Sequence, residues 1–479
     1  MTTKANKELI PDVLADRYAT SEMVAIWGPR QKNILERRLW LAVLRSQNEL
    51  GLEVPAGAIE AYDKVLEDVD LASISRREAD CRHDIKAKID EFNELAGYQC
   101  IHRGMTSRDL TDNIEQMQIR KSMLLVRDKA VAVLKGFANA AGLHIGLAIV
   151  GRTHNVAAQI TTDGKRFANA GEEMLMAYNQ LEYLIENYPL RGIKGPIGTS
   201  QDQIDLLGSA SLARQLEEGV ASELGFDMLM NSVGQVYPRS LDYDVATRLA
   251  LLAAGPSSMA TTIRLMAGYD LMTEGFKKHQ KGSSAMPHKM NARTSERVCG
   301  FNDIIQGYAD MISRLSGRQW QEGDVSCSVV RRAVFPSIFF AIDGQFESLL
   351  TIFGEMGVYE AMVRRELNHY LPFLATTGIL MAAVKKGMGR ESAYAIIQEH
   401  TTEVAKGLHD GTIKENCLFE RLGEDDRMPF SEAEIRQLAN DPIDLTGDAV
   451  GQVRNFVNKV AVIVGEHPEA ASYQPNGIL

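Results

Sequence analysis

Apolar side chains recur at helical spacing along most of the chain. Between residues 21 and 49 they stand at mixed spacings of three and four, at Met23, Ile26, Trp27, Ile34, Leu39, Leu41 and Leu44. This spacing predicts an amphipathic helix. Gly51 follows the segment, and glycine favours helix C-caps.

Long stretches from about residue 114 to residue 350 contain few turn-forming clusters, which predicts a bundle of long helices. Residues 241–276 are predicted as one helix with a kink or break at Gly255-Pro256. From about residue 360 the predicted helices become shorter. We therefore predict an all-α fold of three helical domains, at residues 1–111, 112–360 and 361–479, with a central long-helix bundle.

Composition is that of an ordinary globular protein, and charge argues against nucleic acid. The 479 residues are 45% hydrophobic and 24% charged, and the net charge is -11. Binding to a nucleic-acid backbone calls for a basic surface, so nucleic acid is not an expected partner. Small anions remain possible ligands, because they need only a local cluster of Arg and Lys.

Cysteine usage and hydropathy bear on the compartment. The five cysteines are scattered without CxxC spacing, which suggests neither a zinc site nor a disulfide framework and fits a reducing cytoplasm. The first residues lack the apolar core of a signal peptide. No apolar run approaches the ~18 residues of a membrane span, so no membrane partner is expected.

Residues 282–291, GSSAMPHKMN, carry an unusual set of polar groups. Glycine and proline predict a loop, in which Lys289 and Asn291 can hold a carboxylate while a serine reaches the reacting carbon. The alternative is an ordinary Gly- and Ser-rich surface loop. Every fixed position matches GSSxMPxKxN, so the segment resembles the signature loop of the fumarase/aspartase superfamily.

Further segments resemble motifs of the adenylosuccinate lyases, a branch of this superfamily. In chain order they are RYATSEM (17–23), RHDIKA (82–87), GMTSRDLTDN (104–113), THNVAAQITTDGKR (153–166), GQVYPR (234–239), RTSER (293–297) and WQEGDVSCSVVRR (320–332). The last departs from the family pattern at Gly323, where an arginine is common, and at Cys327. The arginine common at position 323 is one of the family's phosphate contacts, and Arg318 or Arg331 is the candidate replacement for it.

Each of these segments also has a plainer interpretation. His83 near a predicted helix start is more often structural than catalytic. Thr106 and Ser107 after Gly104 form either an ordinary N-cap or a carboxylate cradle. His154 either satisfies buried backbone groups or acts as a general acid near neutral pH. The glycines of residues 192–199 lack GxGxxG order and a preceding strand, so we reject a dinucleotide site.

The resemblance implies a carbon–nitrogen lyase of purine nucleotide biosynthesis. Its reaction is β-elimination of fumarate, from adenylosuccinate to give AMP and from SAICAR to give AICAR. Argininosuccinate lyase or another superfamily lyase is the alternative, but its substrate lacks the phosphate that the arginines would bind. A catalytically silent structural homologue is a second alternative, and it would be expected to lose part of the catalytic set.

The resemblance also implies a role for each site residue. Ser283 is the base, His154 is the acid, and Glu296 tunes that acid; His83 and Lys289 complete the catalytic set. The substrate-binding residues are Arg17, Tyr18, Thr106, Ser107, Gln235, Asn291, Arg297, Ser328 and Arg332. Asn113 is a further candidate, either as a support behind the residues that touch the substrate or as a contact to the leaving group. Arg239 is a further candidate for binding phosphate or carboxylate. The reaction requires no metal or organic cofactor, and the family assembles as a homotetramer with shared active sites.

Overall fold

The computed structural model describes residues 11–276 and 285–476, and helices dominate both ranges. In chain order, helices α1 to α19 are Val13–Arg17, Ser21–Trp27, Pro29–Glu49, Ala58–Lys64, Leu71–Cys81, Asp84–Ala96, Ser107–Leu143, Asp163–Glu186, Gln201–Leu207, Ala210–Glu223, Ser240–Gly268, Arg293–Ser313, Cys327–Glu355, Glu360–Leu374, Thr376–Lys385, Arg390–Asp410, Leu418–Gly423, Glu432–Leu438 and Ala449–Glu466. Two 3₁₀ helices span Pro442–Leu445 and Ala470–Ser472. The prediction of an all-α fold is confirmed.

Two small antiparallel sheets lie among these helices. Strands β1 (Ala148–Thr153) and β2 (Val156–Thr162) form a hairpin between α7 and α8. Strand β3 (Met272–Thr273) pairs with β4 (Gly357–Val358). The hairpin was not predicted, although its β-branched residues favour an extended backbone.

Proline affects two predicted helices differently. The segment from residue 21 to residue 49 is two helices, because Gly28 ends α2 and Pro29 opens α3 at a position that suits proline. Of the two alternatives predicted at Gly255-Pro256, the break is wrong, since α11 continues through Pro256 to Gly268. Gly255 instead allows close packing, because a Cβ there would lie 2.5 Å from the carbonyl oxygen of Ala170 in α8.

Apolar side chains form three main clusters. The largest joins α7, α8, α11, α12, α13 and α19. A second joins α3, α4, α6, the start of α7 and α10, and a third joins α15 to α18. The domain boundaries stay a prediction. The clusters add that α10 packs with the N-terminal helices and that α19 packs with the long-helix bundle.

One segment is more apolar than the sequence analysis expected, since no run long enough to span a membrane was predicted. Glu360–Lys385 is long and apolar enough to cross a membrane by length and composition. Core helices of soluble proteins pass the same test. Here the segment is two helices, α14 and α15, which meet at Ala375. Buried residues of both helices pack into the protein, among them Val363, Leu367 and Ile379.

Candidate active site

Two candidate carboxylate-binding residues, Thr106 and Ser107, lie at the N-terminus of α7, where backbone N–H groups are available as donors. Thr106 is the N-cap, and its backbone N–H donates to Asp109 Oδ2 at 2.8 Å. Ser107 is the first helical residue, and both side chains are half-buried. The first N–H groups of a helix lack intrahelical partners and favour anions. The predicted turn into a helix N-terminus is therefore confirmed.

Asp109 fixes the glycine-rich loop beside this helix start. Its carboxylate accepts from the Arg191 guanidinium at 2.5 Å and from the backbone N–H groups of Lys194 and Gly195 at 2.9 and 3.0 Å. Asn113 is fully buried and exchanges two hydrogen bonds with the backbone of Gly192. In this chain, Asn113 therefore supports the loop.

Gln235 lies on a segment that packs against the residues before α13. Its backbone N–H donates to the carbonyl oxygen of Glu322 at 2.6 Å. Gly234 must lack a side chain there, because a Cβ would lie 2.0 Å from that same oxygen. Gln235 is half-buried, within reach of solvent.

A buried ionic cluster stands behind this end of the bundle. Arg239 donates to both carboxylate oxygens of Asp112, at 3.2 and 2.9 Å. Burial alone would raise the pKa of Asp112, but the guanidinium groups around it, Arg239 first, hold that pKa below its ordinary value. Arg239 is buried in this pairing, so its assignment to substrate phosphate has no support within the chain.

Arg331 belongs to the same buried cluster. Its Nε donates to Asp242 at 2.7 Å, and its remaining groups contact Glu115 and the Tyr237 hydroxyl. Burial opposes its charge, but these partners raise the pKa of Arg331 well above its ordinary value. Since its guanidinium is committed to them, Arg331 is a poor replacement for an arginine at position 323.

Ser328 is brought to the start of α7 by a residue that the sequence did not single out. Arg108 Nη2 donates to Ser328 Oγ at 2.5 Å, and Arg108 Nη1 donates to Asp112 Oδ1 at 3.0 Å. Arg332, one helical turn beyond Ser328, is exposed. Gly323 has φ +136°, in the region that favours glycine over other residues.

Tyr18 and Arg297 also meet, although they are far apart in sequence. The Arg297 guanidinium carbon lies 5.6 Å from the centroid of the Tyr18 ring, and Phe301 contacts the same ring edge-to-face at 5.2 Å. Arg17 is exposed at the end of α1. The predicted nucleotide contacts from the two segments are thus adjacent.

His83 is the N-cap of α6, as its predicted place near a helix start requires. Its Nδ1 accepts from the backbone N–H of Lys86 at 3.3 Å, which leaves Nε2 as the nitrogen that can face a ligand. The side chain is 59% exposed. Burial lowers the pKa of His102, and the nearby His83 adds a smaller effect in the same direction.

His154 lies at the tip of the β1–β2 hairpin. His154 and Asn155 form a two-residue turn with φ 52° and 60°, the positive values of a type I′ turn. The histidine side chain is exposed. Arg152 steadies the base of the tip, because its guanidinium contacts Glu366 and lies 4.7 Å from the Tyr269 ring centroid.

The signature loop is only partly within the described residues. Ser283 lies outside them, so nothing about its position enters the site. Lys289 and Glu296 are exposed, and Asn291 is half-buried. Glu274 anchors the end of the loop by accepting from the backbone N–H groups of Thr294 and Ser295 at 2.9 and 2.8 Å.

The predicted residues fall into separate groups within one chain. Thr106, Ser107 and Ser328 meet where α7 and α13 begin. Tyr18 packs against Gly344, sixteen residues farther along α13, which is about 24 Å at 1.5 Å per residue. Among the described residues, neither a hydrogen bond nor an ion pair joins His154 to Glu296.

The described residues were also compared with the ligand sets that bind metal ions. The described residues include no group of three or more His, Cys, Asp or Glu side chains that could hold a metal ion. All five cysteines are free thiols, and Cys81 is the exposed one.

Sequence reasoning missed the charged side chains that join distant segments. Arg108 lies within its motif without a predicted role, and its partner Ser328 is 220 residues away. Asp112 and Arg191 were likewise passed over. The sequence shows that Arg108 stands next to another charged residue, but it does not show which distant residue each of these side chains pairs with.

Comparison with known proteins gives a consistent family. A family model described as lyase matches residues 18–307, and one described as adenylosuccinate lyase C-terminus matches residues 372–456. Adenylosuccinate lyase of Saccharomyces cerevisiae is 34% identical over 452 residues, which cover 93% of each chain. The Schistosoma mansoni enzyme is 31% identical, again over 93% of each chain.

Solved structures agree on the fold. The 3-carboxy-cis,cis-muconate lactonizing enzyme from Pseudomonas putida superimposes with a TM-score of 0.81 at 18% identity, covering 95% of this chain and 100% of that one. A fumarate lyase from Mesorhizobium sp. BNC1 gives a TM-score of 0.79 at 19% identity, covering 92% and 98%. With relatives above 30% identity matched over nearly their whole length, this chain belongs to the adenylosuccinate lyase family.

Proposed function

We propose that this protein is a carbon–nitrogen lyase that releases fumarate from adenylosuccinate, giving AMP, and from SAICAR, giving AICAR, in purine nucleotide biosynthesis. The contact between Arg108 and Ser328 is the observation that favours a phosphorylated substrate. It joins the anion-binding start of α7 to a candidate phosphate contact at 2.5 Å. Carboxylate and phosphate groups then have donors at the same end of the bundle.

The elimination divides among the site residues as follows. Ser283 removes a proton from the carbon next to a carboxylate, and the electron pair forms the double bond of fumarate. The carbon–nitrogen bond breaks, and His154 gives its proton to the departing nitrogen while Glu296 holds its imidazole. Lys289 and the donors at Thr106 and Ser107 stabilise the charge that develops on the carboxylate.

The remaining site residues orient the substrate. Asn291 shares a carboxylate with Lys289, and His83 and Gln235 position the reacting part. The nucleotide end, chiefly its phosphate, is held by Arg17, Tyr18, Arg297, Ser328 and Arg332. Contacts at this distant end hold the substrate and the transition state equally, so they lower KM for the nucleotide.

A homotetramer with shared active sites would account for where these groups lie. Ser107 begins α7, whose 37 residues span about 54 Å, and His154 stands on the hairpin after its end. One chain therefore cannot bring both residues to one substrate, but chains packed antiparallel can. Exposed apolar side chains on the long helices suit such packing, among them Met176, Tyr183, Leu251, Leu265 and Met311.

A cytoplasmic location fits the same proposal. The free thiols suit a reducing compartment, and the substrates are soluble nucleotides.

Parallel ultraviolet assays of the purified protein with adenylosuccinate and with argininosuccinate test the proposal. We expect turnover of adenylosuccinate alone. Turnover of argininosuccinate would keep the elimination chemistry and contradict the nucleotide assignments. Silence with both substrates, and with SAICAR, would contradict the proposed activity and favour a structural homologue.

A further inference from the structure

Arg108 connects the two helix starts at the nucleotide end of the site. It is the second residue of α7, it is 92% buried, and it reaches Ser328 at the second position of α13. Its guanidinium binds two groups at once, Asp112 Oδ1 at 3.0 Å and Ser328 Oγ at 2.5 Å.

The negative charge of Asp112 is shared among three arginines, so it does not fully offset the charge of Arg108. Both oxygens of Asp112 already accept from Arg239, and Arg331 lies 3.9 Å from Oδ1. Arg239 and Arg331 face inward to buried partners, whereas Arg108 extends to a half-buried hydroxyl. Hydrogen bonds from Ser326 chiefly lower the pKa of the Asp324 carboxyl, and the charges of Arg318 and then Arg108 add smaller effects, so both arginines act on the segment before α13.

The hydroxyl of Ser328 has one proton to donate and can accept at the same time. Because Arg108 occupies Oγ as a donor, the hydroxyl proton must point to another acceptor. A phosphate oxygen at this site would accept it, and the nearby guanidinium would add a charge-assisted attraction.

We infer that Arg108 is a positioning residue for the phosphate of the nucleotide substrate. It orients the Ser328 hydroxyl as a donor and supplies positive charge beside it. This inference rests on the proposed function, because that function assigns phosphate to Ser328.

Neither alternative arginine fits this position as well. Arg331 is committed to Asp242, Glu115 and Tyr237. Arg318 is exposed, and it lines a cavity of about 250 Å³ in which Ser328 is not among the described lining residues. The contact with Ser328 therefore distinguishes Arg108 from both.

Steady-state kinetics of Arg108→Gln with adenylosuccinate and with its dephosphorylated nucleoside tests the inference. We expect KM for the nucleotide to rise about tenfold or more, as loss of a charge-assisted bond predicts, with kcat nearly unchanged. Parameters for the nucleoside should stay the same. Arg108→Lys should recover part of the loss, and Ser328→Ala should reproduce the nucleotide-specific effect.

Arg103→Gln is the matched control. Arg103 precedes the same helix, and its guanidinium donates to the carbonyl oxygen of Glu53. An equal rise in KM for nucleotide and nucleoside in Arg108→Gln, or none for either, would overturn the inference. So would a nucleotide-specific effect that is absent from Ser328→Ala.

Direct binding separates this inference from the proposed function. Calorimetry with inorganic phosphate should give weaker binding to Arg108→Gln than to the wild-type protein. If the wild-type protein does not convert adenylosuccinate but this difference persists, the proposed function fails and the phosphate site stands. Equal phosphate binding to both proteins overturns the inference. Thermal unfolding of each variant identifies one that fails to fold, in which case Arg108→Lys and Ser328→Ala decide.

Discussion

Ser107 and His154 lie at opposite ends of one long helix. Ser107 begins α7, and His154 lies on the hairpin that follows its C-terminal end. The helix is about 54 Å long, and the chain from Leu143 to His154 covers at most about 36 Å even when fully extended, so the two residues are at least about 18 Å apart whichever way the hairpin points. If both act on one substrate, they come from different chains.

Mixing two inactive variants tests this arrangement. Ser107→Glu places a negative charge where a carboxylate should bind, and His154→Ala removes the proposed acid. After subunit exchange, sites that take each residue from a different chain should be intact about a quarter of the time. Activity should therefore recover to roughly that fraction. Each variant exchanged with itself is the control, and no recovery after verified exchange would mean that each chain holds its own site.

Loss of the proposed base or acid should affect turnover and spare binding. We expect Ser283→Ala to lower kcat by orders of magnitude while substrate still binds, because only proton removal is lost. His154→Ala should behave similarly. Calorimetric binding alongside stopped-time assays measures both effects. Near-normal turnover in Ser283→Ala would remove serine from that role, and activity retained by His154→Ala would reassign the acid to His83.

Two glycines of one loop both have positive φ, but a Cβ would clash with a neighbour at only one of them. Gly198 has φ +84°, and a Cβ there would lie 1.8 Å from the carbonyl oxygen of Val233. Gly195 has φ +74°, with nothing within 4 Å of such a Cβ. Gly198→Ala should push the segment bearing Gln235 out of place and lower kcat/KM on the order of 10²-fold.

Gly195→Ala is the matched control for that change. It should cost only the strain of a left-handed alanine, about 1–2 kcal/mol in the free energy of unfolding, and should retain most activity. Kinetics and thermal unfolding of both variants make the comparison. Equal activities would show that the position of the segment at Val233 does not matter for catalysis.

Lys129 pairs with two buried carboxylates in the bundle. It contacts Asp343, and its Nζ lies 2.9 Å from Glu347. Burial raises the pKa of Asp343 above its ordinary value, although Lys129 and Thr20 oppose the shift. Lys129→Met would leave both acids without a cation, so we expect a loss of about 3–5 kcal/mol in the free energy of unfolding.

Urea denaturation at fixed protein concentration measures this loss. Lys121→Met, an exposed lysine of the same helix, is the matched control and should change stability by no more than about 0.5 kcal/mol. A similar small change in both variants would contradict the role of Lys129.

His102 should make stability depend on pH. Burial lowers its pKa below the ordinary 6.5, with Asp109 opposing and His83 adding to the shift. The folded form is neutral at Nδ1, which accepts from the Trp40 indole at 2.9 Å. As the pH falls below 6.5, the unfolded chain takes up a proton that the folded chain refuses, so stability is lost.

His102→Gln keeps an acceptor for Trp40 and cannot titrate. The stability difference between wild type and this variant, measured by urea denaturation, should therefore shift against the wild type between pH 7.5 and pH 5.5. A difference that is independent of pH would contradict a lowered pKa at His102.

Much of the molecule follows from local sequence. Helical periodicity predicts the long helices, and the start of α7 at Thr106 and the place of His83 before α6 follow from capping residues. The motif order from Arg17 to Arg332 is sufficient to indicate the family. These features depend on neighbours within a turn or two, so the sequence carries them directly.

The tertiary structure decided what distant residues do. It turned residues 148–162 into a hairpin, committed Arg239 and Arg331 to buried carboxylates, and joined Arg108 to Ser328 across 220 positions. Periodicity and propensity describe a residue's own segment, whereas an ion pair or a packed glycine depends on which segment folds against it. The sequence therefore predicts which residues carry the chemistry of the site, and only the packing of the helices determines which partners those residues contact.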